Sequence, residues 1–563
     1  MFRNVLLATL SIVVSLITVA CGSGDQSTQT AQATDIATLP ANVTPEQIAR
    51  HVEYLASDEL GGRAPGSKGE ELTLTYLTEQ YIKMGLRPGN PDGSYIQAVP
   101  LVASTVTNDP TIHIAAGDGA LDYTYGEDFM CWTHHRRPTV SVTDAGLVFV
   151  GYGIVAPEYG WDDYKGADVS GKILVMFVGD PPLPDETQFG GAAMTYYGRW
   201  TYKYETAAKR GAVGVIIIHN TEAAGYPWDV VSNSWAGEQF DIERANDGTD
   251  RCAIESWVTA RAAEQIFDRA GMSLGRAYRT ALSREFEPAD LGLTASVSMD
   301  ITHRDIRSYN VAAMLHGSDP DMKDEYVVYT AHWDHLGIGI VADGDSIYNG
   351  ALDNASGVAA MLEIARAMTK QKGLLKRSVL FLNTTGEESG LLGSYYYAEN
   401  PLYPLTQTVT EINIDGMNMW GPTKDMVVVG FGQSELDDYL REAIASQERS
   451  LSPDAEPEKG YYYRSDHFPF AKKGVPSLYS DSGVDQRERP ANWGMEAKRQ
   501  YTAERYHKPH DEYNATWNLS GAVEDVEALF RVGLMAATRT PPPAWRDGSE
   551  FKEIREQSVE ASR

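Results

Sequence analysis

The hydrophobic pattern changes period along the chain, and each change predicts a different kind of element. From 44 to 85 apolar residues recur at helical spacing. Thr44-Pro45-Glu46-Gln47 joins a capping box to a proline at the first helical position, and Ile48, Val52 and Leu55 form the stripe behind it. A second helix is expected from Ser67, with Glu70 closing another box. Leu74, Leu77, Tyr81 and Met84 share its face, and Gly85 is its left-handed stop. Leu60 to Gly66 reads as a tight loop between the two. Between about 115 and 290 strand-like runs take over (Gly146–Val150, Lys172–Val178, Val213–His219), with one helix at Thr201–Arg210. From about 295 onward, short apolar runs at Tyr326–Thr330, Val379–Leu382, Glu411–Ile414, Met426–Val429 and Ser477–Tyr479 alternate with helical patterns. The helices are expected at Ala355–Met368, Gly390–Tyr397, Glu435–Gln447 and Leu519–Arg539.

That alternation predicts an α/β fold, a mixed, largely parallel sheet flanked by helices, interrupted by a β-rich insert. Sites on such sheets gather beyond the carboxyl ends of the strands. The expected division is a signal at 1–21, a flexible tether at 22–41, a first part of the main domain at 42–114, the insert at 115–290, the rest of the main domain at 291–540, and a charged, loosely held tail at 541–563. A length of 563 residues agrees with more than one core.

The first residues carry no fold signal. Arg3 and the apolar Val5–Val19 form the n- and h-regions of an export signal, too short for a comfortable membrane span. Thr18-Val19-Ala20 before Cys21 resembles a lipoprotein signal of the bacterial cell envelope, with lipid attached at Cys21. Thr18 stands where Leu is usual, so a plain cleaved signal and an uncleaved anchor stay open. The expected location is therefore outside the cytoplasm, lipid-anchored or secreted. The two remaining cysteines, Cys131 and Cys252, leave either one disulfide or two free thiols. With 78 acidic against 48 basic residues the net charge is −30, which excludes nucleic acid and anionic membrane surfaces as electrostatic partners.

The chemistry-bearing residues sit at the ends of the predicted strands. His332 and Asp334 follow the first run, Asp353 precedes a helix, Glu387-Glu388 follow the second run, and Asp415 follows the third. His507 and Asp511 lie near the end of the domain. Imidazoles and carboxylates held on regular elements are what a hydrolytic zinc site needs. Of two adjacent glutamates, one can face a metal and the other a water, because a metal-bound carboxylate is not also a free base. His335, His467 and His510 flank these motifs and are expected beside the site, at its rim or on the surface. His134-His135-Arg136-Arg137 is expected to be a solvated loop.

Several motifs together resemble the co-catalytic di-zinc aminopeptidases, the superfamily of glutamate carboxypeptidase and the transferrin receptor. They are Ala331-His332-Trp333-Asp334, Gly350 to Gly357, Gly386-Glu387-Glu388, Asn413-Ile414-Asp415 and Tyr506-His507-Lys508-Pro509. Gly151-Tyr152-Gly153, Gly171-Lys172-Ile173 and Ala208 to Ala212 resemble the protease-associated (PA) domain inserted in such peptidases. The resemblance implies two zinc ions bridged by Asp353, with His332 and Asp415 on one and Glu388 and His507 on the other. It implies Glu387 as general base, Asp334 orienting His332, and Tyr506 helping to hold the oxyanion. Arg464-Ser465-Asp466-His467 resembles a substrate-side loop, and a purely structural loop stays open. The implied activity is removal of N-terminal residues from peptide substrates through a zinc-activated water. A glutamate-type carboxypeptidase, a one-zinc glutaminyl cyclase and a receptor-like binding protein remain as alternatives on the same fold.

Overall fold

Three of the predicted apolar runs are strands buried along their whole length, as runs without polar alternation require: Tyr326–His332, Ser378–Thr384 and Thr408–Asn413. The computed structural model describes residues 35–562, apart from 117, 118, 184–187 and 190. The expected signal, Cys21 and most of the tether lie outside the described residues. Among those described, no helix is long and apolar enough to cross a membrane.

The three strands are parallel. Val327 pairs with Val379 and Tyr329 with Ile412. Ser477–Asp481 continues the parallel set beside Thr408–Asn413, with Ile412 opposite Leu478. Asp425–Val429 then runs antiparallel to it and parallel to Ser450–Pro453. The register puts His332 opposite Thr384 and Thr330 opposite Asn413, so all three carboxyl ends open on one edge. Gly357–Lys370 and Ser520–Thr538, both almost wholly buried, belong to the same large core as these strands.

The insert has its own sheet. Thr139–Phe149, Ile173–Phe177, Gly214–Ile218 and Ile254–Val258 are parallel neighbours in that order, and Phe129–Trp132 closes one side antiparallel. Its two faces bury separate apolar clusters. The two sheets share one 27-residue strand, Ala289–Leu315. Its first half pairs with Thr139–Phe149, its middle with Ile96–Val106, and its last residues with Ser378–Thr384. The expected boundary at 290/291 thus falls inside a strand. The insert also returns Glu238–Ile242 to pair with Ile96–Val106. Residues 36–563 accordingly form one unit.

Three expectations are corrected, and the open question of the cysteines is decided. The tether is packed from Ile36 on: Ala37 and Ala41 are buried, and Arg531 Nε donates to the Leu39 carbonyl at 3.0 Å. The tail is docked, because Trp545 and Phe551 are buried among Leu391, Val429 and Tyr462, and Trp545 Nε1 donates to Gly474 O at 2.9 Å. Cys131 and Cys252 are free thiols in the two different clusters of the insert, and burial raises the pKa of each. His134 is no solvated residue. Its ring lies 2.7 Å from Asp241 and 3.3 Å from Glu255.

Candidate metal centre

The open strand edge gathers acids and imidazoles from five stretches of chain. His332 is the last residue of its strand, buried to 1% exposure. Its Nε2 faces Asp415 Oδ1 at 3.2 Å, Asp353 Oδ1 at 3.3 Å and Glu387 Oε2 at 3.8 Å. The other oxygen of Asp353 faces His507 Nε2 at 3.4 Å, and Glu388 Oε2 lies 3.0 Å from the same nitrogen. Asp353 therefore stands between two histidines, one oxygen toward each.

Its position follows from a break in the helix start. Residues Ala351–Ser356 form an irregular turn in which Asp353 and Asn354 leave helical geometry, and the peptide bond between them is cis. Asn354 anchors this turn to the Asp415 loop: its Nδ2 donates to Ile414 O at 2.9 Å, and its Oδ1 accepts from Gly416 N at 2.9 Å and Gly357 N at 3.0 Å. Residue 357 must be glycine for that approach, since a Cβ there would sit 2.1 Å from Asn354 Oδ1. Asp511 fixes the turn from the other side, accepting from the backbone N–H groups of Leu352 and Asp353 at 3.1 Å and from Tyr501 at 3.2 Å.

Contacts behind the cluster orient its members. His332 Nδ1 points at the Asp334 carbonyl oxygen, 3.2 Å away, more closely than at the Asp334 carboxylate at 3.9 Å. That carboxylate accepts from the Glu387 N–H at 3.2 Å, so Asp334 ties the His332 strand to the glutamate pair. Ser465 Oγ donates to Asp415 Oδ2 at 2.6 Å and accepts from Asn413 Nδ2. His335 takes the first of its expected places, beside the site: it is buried, with Nδ1 2.5 Å from Glu388 Oε1. His467 is buried against Tyr462 and Tyr479, and burial lowers its pKa to about 3. His510 is exposed beside Asp343.

Two partners of His507 come from the insert. Ser234 Oγ lies 2.7 Å from His507 Nδ1, and Asn233 Nδ2 donates to the His507 carbonyl at 3.1 Å. His507 has the left-handed φ of +54°, and these contacts hold it there. Tyr506 stacks on its ring with centroids 3.9 Å apart. Arg63, which no sequence signal marked, is fully buried and donates to the carbonyls of Trp333, Asn349 and Gly350 at 2.6–2.9 Å. Burial lowers its pKa to about 10 against the pull of Asp334, Asp511, Asp353 and Glu388.

Burial raises Glu387 well above the usual carboxylate range, with His332 opposing and Asp415 and Glu388 reinforcing. Burial also opposes ionisation of Asp353 and Glu388. For Asp353, contacts with His332 and His507 prevail and hold it well below its ordinary value; for Glu388, His507 and His335 prevail and hold it at about 2. The donors suit a cation. The His332, Asp353, Asp415 atoms lie within 4.8 Å of one another, as do those of His335, Asp353 and Glu388, and Asp353 is common to both groups. His507 Nε2 is buried without a directed hydrogen bond, although two carboxylates face it.

Residues 310–530 match peptidase family M28, and residues 138–248 match the PA domain. The stretch 310–530 is thus a peptidase family M28 domain. Over 472 residues, 80% of this chain and 75% of the relative, the chain is 28% identical to a probable leucine aminopeptidase 2 of Aspergillus oryzae. It is 34% identical over 274 residues to the aminopeptidase NAALADL1 of Rattus norvegicus, covering 40% of this chain and 35% of that protein. Its fold is that of the aminopeptidase from Aneurinibacillus sp. strain AM-1, with a TM-score of 0.52 and 19% identity over 88% of this chain and 94% of the other. The PA match falls within the insert that carries Ser234.

A cavity of about 1000 Å³ opens on the cluster. Asp353, Glu387, Glu388, Asp415 and His507 line it from the M28 side, and Arg199, Tyr226, Ser234 and Trp235 line it from the insert. A site walled by two domains is large enough to bury several residues of a peptide.

Proposed function

We propose that this protein is a zinc-dependent aminopeptidase that releases N-terminal residues from peptides. The observation that carries this is Asp353, set with one oxygen toward His332 and Asp415 and the other toward His507 and Glu388, with Glu387 left over beside them. His332 and Asp415 would hold one zinc, His507 and Glu388 a second, and Asp353 both. Zinc there supplies Lewis acidity toward a peptide carbonyl and toward water. The relatives named aminopeptidases support the choice of end.

The chain's own residues do the rest. Glu387 takes a proton from the attacking water and returns it to the leaving amine. Its backbone is held by Asp334, so its carboxylate keeps its place in the cleft while the proton moves. Tyr506, which lines the cavity and stacks on His507, would donate to the oxygen that gains charge; its position in the cavity supports this reading. Asp334 and Ser234 keep the two imidazoles oriented through their Nδ1 atoms.

The test is a hydrolysis panel on the purified protein: unblocked aminoacyl amides, the same compounds N-blocked, and N-blocked peptides ending in Glu. Cleavage of unblocked substrates alone, abolished by a chelator and lowered by about 10²-fold or more in Glu387→Gln, is expected. Cleavage of the blocked peptides at a C-terminal Glu would replace this function with a carboxypeptidase. Metal analysis of the same preparation is expected to return two zinc ions per chain.

A further inference from the structure

Glu411 is a carboxyl group placed where a charge is hard to keep. It lies in the buried strand Thr408–Asn413 and has no exposed surface. Its Oε1 is 2.5 Å from Thr330 Oγ1 on the adjacent parallel strand, and its Oε2 has no hydrogen-bond partner. The hydroxyl of Ser477, on the strand at its other side, donates to Val475 O at 3.1 Å. Burial pushes the Glu411 pKa up to about 8. The hydroxyls of Thr330 and Ser477 oppose this and the Asp466 carboxylate adds to it, with no basic side chain among the groups that act on it. An ionised carboxylate in those surroundings is costly, so Glu411 is held as the neutral acid. An apolar side chain there would avoid the unpartnered oxygen, so packing alone does not explain the residue.

The hydrogens available along its contacts require the same state. Thr330 Oγ1 also lies 2.7 Å from Asn413 Oδ1, Asn413 Nδ2 lies 2.6 Å from Ser465 Oγ, and Ser465 Oγ lies 2.6 Å from Asp415 Oδ2. Each hydroxyl has one hydrogen to give. Asp415, whose other oxygen faces His332, takes that of Ser465. Ser465 then accepts from the Asn413 amide, Asn413 Oδ1 accepts from Thr330, and Thr330 has nothing left to give. Glu411 therefore donates to Thr330, and the chain runs one way, from Glu411 through three side chains to Asp415. Glu411, Thr330, Asn413 and Ser465 are each at most 1% exposed, so solvent does not replace a lost partner. Ionised Glu411 would reverse the order. Thr330 would give its hydrogen to Glu411, the Asn413 amide would turn over, and Ser465 would donate to Asn413 and no longer to Asp415.

We propose that Glu411 is a positioning residue for Asp415: as a neutral acid it directs the chain at Asp415 Oδ2 and leaves Oδ1 for the cation shared with His332, and its ionisation turns the chain back and loosens that half of the centre. This rests on the zinc centre proposed above. The effect is opposite in sign to that of the charge alone. One more carboxylate in the domain would strengthen cation binding through space, whereas the reversed chain weakens it by withdrawing the Ser465 hydrogen from Asp415.

Two measurements test this. The infrared difference between wild type and Glu411→Gln at pH 6 is expected to show the loss of a carboxylic acid carbonyl band, with the carboxylate bands unchanged. Zinc affinity of the metal-free proteins is then compared from pH 6 to pH 9 by competition with a chromogenic chelator. The introduced amide donates to Thr330 and cannot ionise. The ratio of wild-type to Glu411→Gln affinity is therefore expected near one at pH 6 and about tenfold lower at pH 9. Titration of the ligands themselves is common to both proteins and cancels in the ratio. In a Ser465→Ala background, where the chain stops short of Asp415, the same ratio is expected to stay level. A loss of carboxylate bands at pH 6, a ratio that holds or rises toward pH 9, or an equal fall in the Ser465→Ala background would overturn the role. Hydrolysis of leucine amide reports on the aminopeptidase function separately. If the amide is untouched while zinc binding follows the expected course, that function falls and the positioning role stands.

Discussion

Asp511 decides how well Asp353 can serve the proposed metals, although it faces neither histidine at hydrogen-bonding distance. Its carboxylate satisfies two backbone N–H groups of the irregular turn that carries Asp353. Asp511→Ala would leave those donors buried and unpaired, at a cost of about 1–3 kcal/mol, and would free the turn. Zinc affinity is expected to fall about 10- to 100-fold, measured by competition against a chromogenic chelator, with the melting temperature only modestly lowered. The four-residue spacing from His507 made Asp511 visible in the sequence as a neighbour. Its actual partners, Leu352 and Asp353, lie more than 150 positions away, beyond what local spacing reports.

Among the elements, the strand ends were the most legible feature. Fully apolar runs become central parallel strands because both faces are covered, and the residue after such a run must then lie at the sheet's edge. Elements of mixed character were less legible. His134 was expected in solvent because its sequence neighbours are polar, yet strands from two other places bring Asp241 and Glu255 to its ring. Burial disfavours its charge, but the two carboxylates prevail and raise its pKa from 6.5 to about 9. Folding therefore takes up a proton between those values. The stability contributed is full below about pH 6.5 and is lost as pH rises through about 9. His134→Gln is expected to be less stable than wild type at pH 6, with the gap narrowing toward pH 9 in urea titrations. The tail gives a parallel case. Trp545→Ala should cost about 3–5 kcal/mol, read from the urea midpoint, because the indole is 4% exposed in an aromatic cluster.

For the whole molecule the decisive feature is that the PA domain touches the centre. Ser234 reaches His507 across 273 positions of sequence, from a segment in which no metal-binding pattern occurs. Ser234→Ala is expected to lower activity and zinc affinity about tenfold while leaving the urea midpoint nearly unchanged, since one hydrogen bond to a proposed ligand is removed and no core is disturbed. A loss of stability without loss of zinc affinity would instead make Ser234 a packing residue. The shared strand Ala289–Leu315 and the returned strand Glu238–Ile242 hold the two domains in the register this contact needs.

The alternation of strands and helices, the β-rich insert and the five candidate ligands with their neighbouring glutamate are legible in the chain alone. These depend on local periodicity and on motifs a few residues long, which survive in one dimension. Packing in three dimensions alone turns Asp353 toward both histidines, sets Arg63, Asp511 and Ser234 behind the cluster, and anchors the tail. Each of these is a meeting of groups far apart along the chain. Hydrogen bonding and charge balance in a buried site act through space, where sequence distance carries no information.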